Sequence, residues 1–150
     1  MAKTSFTFEG LSELVKDLDK LSDVYPIMKE ALYDGAGILA DEIKKRAPEV
    51  LKDSISISKM DAGGGKVNTA VTFAGYSDHK TKQYPNGVPY ALIAAAFESG
   101  TSERSTKNGY NRGKFGKRPF IRPAMKACQD RVRDAMQKTL DERINDIMEE

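Results

Sequence analysis

A polar run from Thr101 to Lys117 separates two blocks in the last third of this chain that both pattern as helices. Before it lies Pro89-Tyr90-Ala91-Leu92-Ile93-Ala94-Ala95-Ala96-Phe97-Glu98-Ser99-Gly100, apolar and alanine-rich. After it, Arg118-Pro119-Phe120-Ile121-Arg122-Pro123-Ala124 opens a long amphipathic stretch. With glycines and few apolar side chains, the run cannot bury enough surface to offset the entropy of ordering unless a partner contributes. The blocks on either side carry the fold, and the run between them reads as a mobile loop.

At 150 residues the chain is long enough for one domain with a core of its own, and a single domain over 1–150 is expected. The formal net charge of +2 gives no global electrostatic case for nucleic acid or an anionic membrane. The lone cysteine, Cys128, excludes an intrachain disulfide and a multi-cysteine metal site. No apolar run follows Lys3, so no secretory signal is read. No stretch reaches the roughly 20 apolar residues of a membrane span.

Phe6-Thr7-Phe8 suits a short strand. After Gly10, the residues Leu11, Leu14, Val15, Leu18 and Leu21 form one helical stripe. Pro26 fits the first turn of a second helix, with Met28, Leu32, Leu39 and Ile43 on one face. Gly35 and Gly37 inside it cost about 1 kcal/mol each relative to alanine and point to close packing of another element. Pro48 ends that helix near Arg46. Ser54–Met60 alternates as a half-buried strand, Asp61–Lys66 is a turn, and Val67–Ala74 returns as a second strand, making a β-hairpin. Ser77–Pro89 reads as a loop with a turn at Tyr84-Pro85-Asn86-Gly87, and Tyr90–Glu98 as a helix bounded by Pro89 and Gly100. Pro123 starts the last helix, striped by Ala124, Cys128, Val132, Met136 (or Ala135), Leu140, Ile144 and Ile147. The fold class expected is α+β: a small antiparallel sheet packed by amphipathic helices, the C-terminal one long.

Catalytic chemistry finds no foothold. His79, the only histidine, lies in a polar loop with no second ligand nearby in sequence. Ser77 and Ser99 have no nucleophile elbow. The carboxylate neighbours Asp41/Glu42, Asp141/Glu142 and Glu149/Glu150 do not face each other on a helix, and read as solvated surface. Cys128 falls on an apolar stripe and reads as a small buried hydrophobe. The triple glycine Gly63-Gly64-Gly65 enters a strand and lacks the lysine–hydroxyl spacing of a phosphate loop.

The loop 102–118 is the one segment with partner chemistry. Arg104, Lys107, Arg112, Lys114, Lys117 and Arg118 are interleaved with Tyr110 and Phe115, a combination that can grip phosphates and stack on bases. The plainer reading is a solvated loop that orders in an assembly. Pro119, Phe120, Ile121 and Pro123 read as the anchor that sets the last helix on the sheet, two prolines fixing chain direction around an aromatic.

Several motifs, in order, carry a family resemblance. They are Phe8-Glu9-Gly10-Leu11 with Leu14 and Leu18, then Gly35-Ala36, Lys45-Arg46-Ala47-Pro48, Leu51 and Ser54-Ile55. Pro89-Tyr90-Ala91, Phe97-Glu98-Ser99-Gly100-Thr101 and Arg118-Pro119-Phe120-Ile121-Arg122-Pro123-Ala124 complete the set. The chain resembles the siphophage-type tail-completion, or head–tail joining, proteins, short minor tail proteins encoded among phage neck genes. It departs from them in two places: Glu49-Val50 stands where a Thr-Gly is common, and the loop before Pro119 is long.

The resemblance implies a structural subunit, not an enzyme, that forms a homo-oligomeric ring, a hexamer by first expectation. The ring would complete the tail and join it to the DNA-filled head. Its partners would be copies of itself, neighbouring neck, tail-terminator or tail-tube proteins, and passing DNA in transient contact. It would reside in the virion after assembly in the bacterial host cytoplasm. No cofactor, metal, small-molecule substrate or membrane is implied. The competing class is a small nucleic-acid-binding module using 102–118.

Overall fold

A computed structural model describes residues 25–63 and 66–149; the strand expected at Phe6–Phe8 and the helix expected at Leu11–Leu21 lie outside the described residues. In chain order the elements are helix α1 (Tyr25–Arg46), the single-turn helix α2 (Glu49–Lys52) and strands β1 (Ile55–Ile57), β2 (Asp61–Gly63), β3 (Lys66–Asn68) and β4 (Val71–Phe73). Helices α3 (Tyr90–Ser99) and α4 (Ile121–Met148) follow. The arrangement is α+β, with a small antiparallel sheet and a long C-terminal helix.

Prolines set the helix boundaries for the reason the sequence suggests. Pro26 is the second residue of α1, where a missing N–H leaves no bond unmade. Pro48 and Pro89 stand immediately before α2 and α3 in extended conformation. Gly100 closes α3 with φ of 71°, a conformation that disfavours other residues. α4 begins at Ile121, two residues earlier than expected, because Pro123 is equally compatible with the third position of the first turn.

α1 and α4 pack antiparallel. Three cross-links show the direction: Glu42 with Arg131, Asp34 with Thr139, and Glu30 with Arg143. The buried face of α1 is Ile27, Ala31, Gly35, Ala36, Glu42 and Ile43, rotated from the expected row, since Met28, Leu32 and Leu39 are only half-buried. The reason is close approach. A Cβ on Gly35 would lie 2.9 Å from the Cγ and Sδ of Met136 and 3.2 Å from Val132 Cγ1, so the contact line selects the smallest side chains. Gly37 has nothing within 4 Å of such a Cβ, and close packing does not account for it.

The hairpin is present but interrupted. β1 pairs with β4 in the register Ile55↔Phe73 to Ile57↔Val71, and β2 with β3 in the register Asp61↔Asn68 to Gly63↔Lys66. Ser58 N–H donates to Ala70 O at 2.8 Å and extends the first register. Lys59 and Met60 then stand opposite Thr69 alone, a one-residue bulge. Hydroxyls compete with the ladder at that point: Ser58 Oγ accepts the Ala70 N–H at 3.0 Å, and Thr69 Oγ1 donates to Ser58 O. The two long strands expected therefore become four short ones, and the expected turn narrows because Asp61–Gly63 and Lys66 are themselves paired.

The core gathers at one end of the α1/α4 pair. Ile43, Ala47, Leu51, Ala94, Phe120 and Ala124 are buried together, with Ile55, Val71, Phe73 and Ile93 packed against them. Every described element except β2 and β3 contributes to this cluster, so α3 and the start of α4 are held in fixed relation to the sheet.

Candidate assembly surface

Glu98, the last charged residue of an otherwise apolar helix, fixes the chain on both sides of the basic run. Its carboxylate, only 10% exposed, accepts the backbone N–H groups of Phe120 and Ile121 at 2.9 Å and of Arg122 at 3.1 Å. The opening N–H groups of a helix have no intrahelical partner, and a negative charge beside them also suits the helix dipole. Arg118 N–H donates to Phe97 O at 2.7 Å, closing the same junction. Residues 101–117 thus leave and return to one rigid point.

Burial works against charging Glu98. The N–H groups of Ile121, Phe120 and Arg122, with the Arg122 charge, outweigh it and hold the carboxyl below its ordinary 4.5. Because the folded value is depressed, the stabilisation is complete above the unfolded value and drains away as pH falls through the folded one. Glu98→Gln is expected to cost about 1–2 kcal/mol at pH 7. The gap from the parent should shrink as thermal melts are taken from pH 7 to pH 3. A gap that stays constant over that range would show that the charge contributes nothing.

Within the run the backbone pairs with itself. Thr101 N–H donates to Phe115 O at 2.9 Å, Arg104 N–H to Gly113 O at 3.1 Å and Thr106 N–H to Tyr110 O at 2.9 Å. Ser105 and Asn111 form an antiparallel bridge, and Gly109 and Gly113 supply the positive φ that such turns need. Phe115, flanked in sequence by Lys114 and Gly116, finds its apolar neighbour across the loop: its ring meets Phe97 edge-on at 5.0 Å, and the Arg118 guanidinium lies 5.9 Å over its face. The fold brings Phe97 to it, which sequence proximity does not reveal. Arg104, Lys107, Arg112, Lys114, Lys117 and Arg118 are all exposed, as is Tyr110 at 74%.

Of the anchor residues, Phe120 is buried in the core, Ile121 is half-buried, and Pro119 and Pro123 are exposed. Elsewhere one carboxylate departs from its sequence reading. Glu42 is buried, not solvated: Arg131 bonds it at 2.8 Å and Arg46 at 2.8 Å. The Arg131 hydrogen bond, opposed by burial and aided by Arg46 and Lys45, keeps its carboxyl below the ordinary range. Its sequence neighbour Asp41 stays exposed, so a paired motif in sequence is split by the helix. His79 is exposed and Cys128 is buried on the α4 stripe. Among the described residues no group of three His, Cys, Asp or Glu side chains is placed to hold a metal, and no helix is long and apolar enough to cross a membrane.

What this arrangement offers is surface: a cationic hairpin on a fixed base beside an apolar helix. No curated protein and no solved structure matches the chain. Residues 12–75 match the model of the HK97-gp10-like family, described as "Bacteriophage HK97-gp10, putative tail-component". Their described part takes in α1, α2 and the strands through β4, and the match ends before α3. Over that segment the chain is similar to a family of phage tail components.

Proposed function

We propose that the chain is a structural protein of the neck–tail junction, assembling as a ring of identical subunits that completes the tail and joins it to the DNA-filled head. The observation that carries this reading is the tail-component match over 12–75. Identical subunits that meet head to tail close into rings when the rotation between neighbours allows it. Six copies are the first expectation. The ring forms in the bacterial host cytoplasm, and its neighbours are tail-terminator or tail-tube and other neck proteins. The basic hairpin, mobile about its Glu98 base in the free subunit, orders against an acidic surface of a neighbour, with passing DNA as a transient contact.

A cryo-EM map of the particle neck tests the proposal. A closed ring of this chain between head and tail is expected, and loss of the gene should leave filled heads and finished tails unjoined. A single copy at the neck, or a position away from the junction, would sink it.

A further inference from the structure

α3 is apolar on nearly every side, a pattern that belongs to a helix covered all round. Ala94 is buried and Ile93 and Phe97 are half-buried, yet Ala91, Leu92 and Ala95 face solvent, Leu92 at 45%. Leu92, Ala95 and Ala96 line one shallow depression together with Arg104 of the basic hairpin. This end of the molecule therefore presents an apolar floor with a cationic rim.

The other end presents the opposite. Along α4 the apolar stripe continues past the core into solvent: Ile144 and Ile147 are each 38% exposed and Met148 is 64% exposed. Asp141, Glu142, Asp146 and Glu149 surround it; Lys138 pairs with Glu142, and Arg143 is shared between Asp146 and Glu30 of α1, so the carboxylates outnumber the cations there. Met136, Leu140 and Ile144 share an open groove with Asp141 and with Arg133, whose guanidinium is paired with Asp130 at 2.8 Å. From Ala124, in the core beside α3, to Ile147 is about 35 Å along the helix at 1.5 Å per residue. The two patches are complementary in charge, alike in being apolar, and too far apart to meet within one chain.

We infer that the C-terminal end of α4 in one copy docks on α3 and the basic hairpin of the next. This rests on the self-assembly proposed above and assigns the surfaces that make it. The contact is heterologous, as a ring requires. A symmetric pairing of either patch with itself would set like charges face to face.

Cysteine trapping reads the contact directly. A Leu92→Cys chain mixed with an Ile147→Cys chain should give a mixed disulfide on mild oxidation, while neither variant alone gives a dimer. Cys128, 1% exposed, does not compete. Arg112→Glu with Lys114→Glu on the first chain should cut the yield about tenfold, and Asp141→Lys with Glu142→Lys on the second should restore it. Self-association by sedimentation without the 92–147 disulfide would overturn this assignment and leave the ring reading standing. So would a Leu14→Cys/Ile147→Cys variant that closes within one chain, since residues 11–21 would then cover that end. No association, alone or on purified tails, at concentrations up to about millimolar would overturn both.

Discussion

A Phe120→Ala protein is expected to melt about 10 °C or more below its parent, the largest stability loss from a single truncation at the α3–α4 junction. Phe120 is 3% exposed and sits among Ala47, Leu51, Ala94 and Ala124. Its ring meets Phe73 of β4 edge-on, centroids 5.9 Å apart. Removing a buried phenyl typically costs about 3–5 kcal/mol, including the cavity left behind. Here the cavity should stay open, because three of the five buried residues clustered with it are alanines with no rotamer that could swing in. The backbone N–H of Phe120 still reaches Glu98, so the chain path survives and the loss isolates the ring. Phe120→Leu, which keeps most of the volume, should recover more than half. Pro119 and Pro123 bury little themselves, and their contribution is to narrow the unfolded ensemble around the anchor. A melting temperature unchanged by Phe120→Ala would mean that the residue is not packed in solution as described.

How much of this was legible beforehand depended on whether the signal was local. Proline and glycine act on their own backbone, so Pro26, Pro48, Pro89 and Gly100 marked the ends of α1 and α3 from sequence alone, while the single turn of α2 carried no such signal. The strand alternation at Ile55 and Ile57 was equally local, but register was not. The bulge at Lys59–Met60 arises because Ser58 and Thr69 bond across the ladder, a choice made between strands. The buried row of α1 was misplaced for a similar reason. Periodicity favours large apolar residues, whereas the contact with α4 selects Ala31 and Gly35. Long-range pairing hid the rest. Glu42 is buried by Arg131, 89 positions away, and Glu98 is explained only by the start of α4, 22 to 24 positions on. One signal for Glu98 was available: a lone carboxylate closing an apolar helix, where nothing local needs it.

Replacing Arg112, Lys114 and Lys117 together with alanine is expected to abolish head–tail joining while leaving the subunit folded. All three side chains are exposed, and surface substitutions of that kind usually change stability by no more than about 0.5 kcal/mol. Relief of repulsion among six neighbouring cations acts in the stabilising direction. In the proposed ring the same charges face an acidic neighbour, where losing them should weaken docking about a hundredfold or more. The hairpin keeps its base, since Glu98 and the Phe97–Phe115 contact are untouched. Particles from cells making the variant should separate into filled heads and free tails, and the purified variant should melt with the parent. A DNA role predicts something else. The purified parent would then bind duplex DNA with an affinity that falls steeply as salt rises, and the triple variant would lose that binding. Subunit contact is the favoured reading, because the exposed apolar face of α3 lies beside Arg104 of the same hairpin and duplex phosphates would leave it uncovered. Salt-sensitive DNA binding by the free chain, absent from the variant, would reverse that choice.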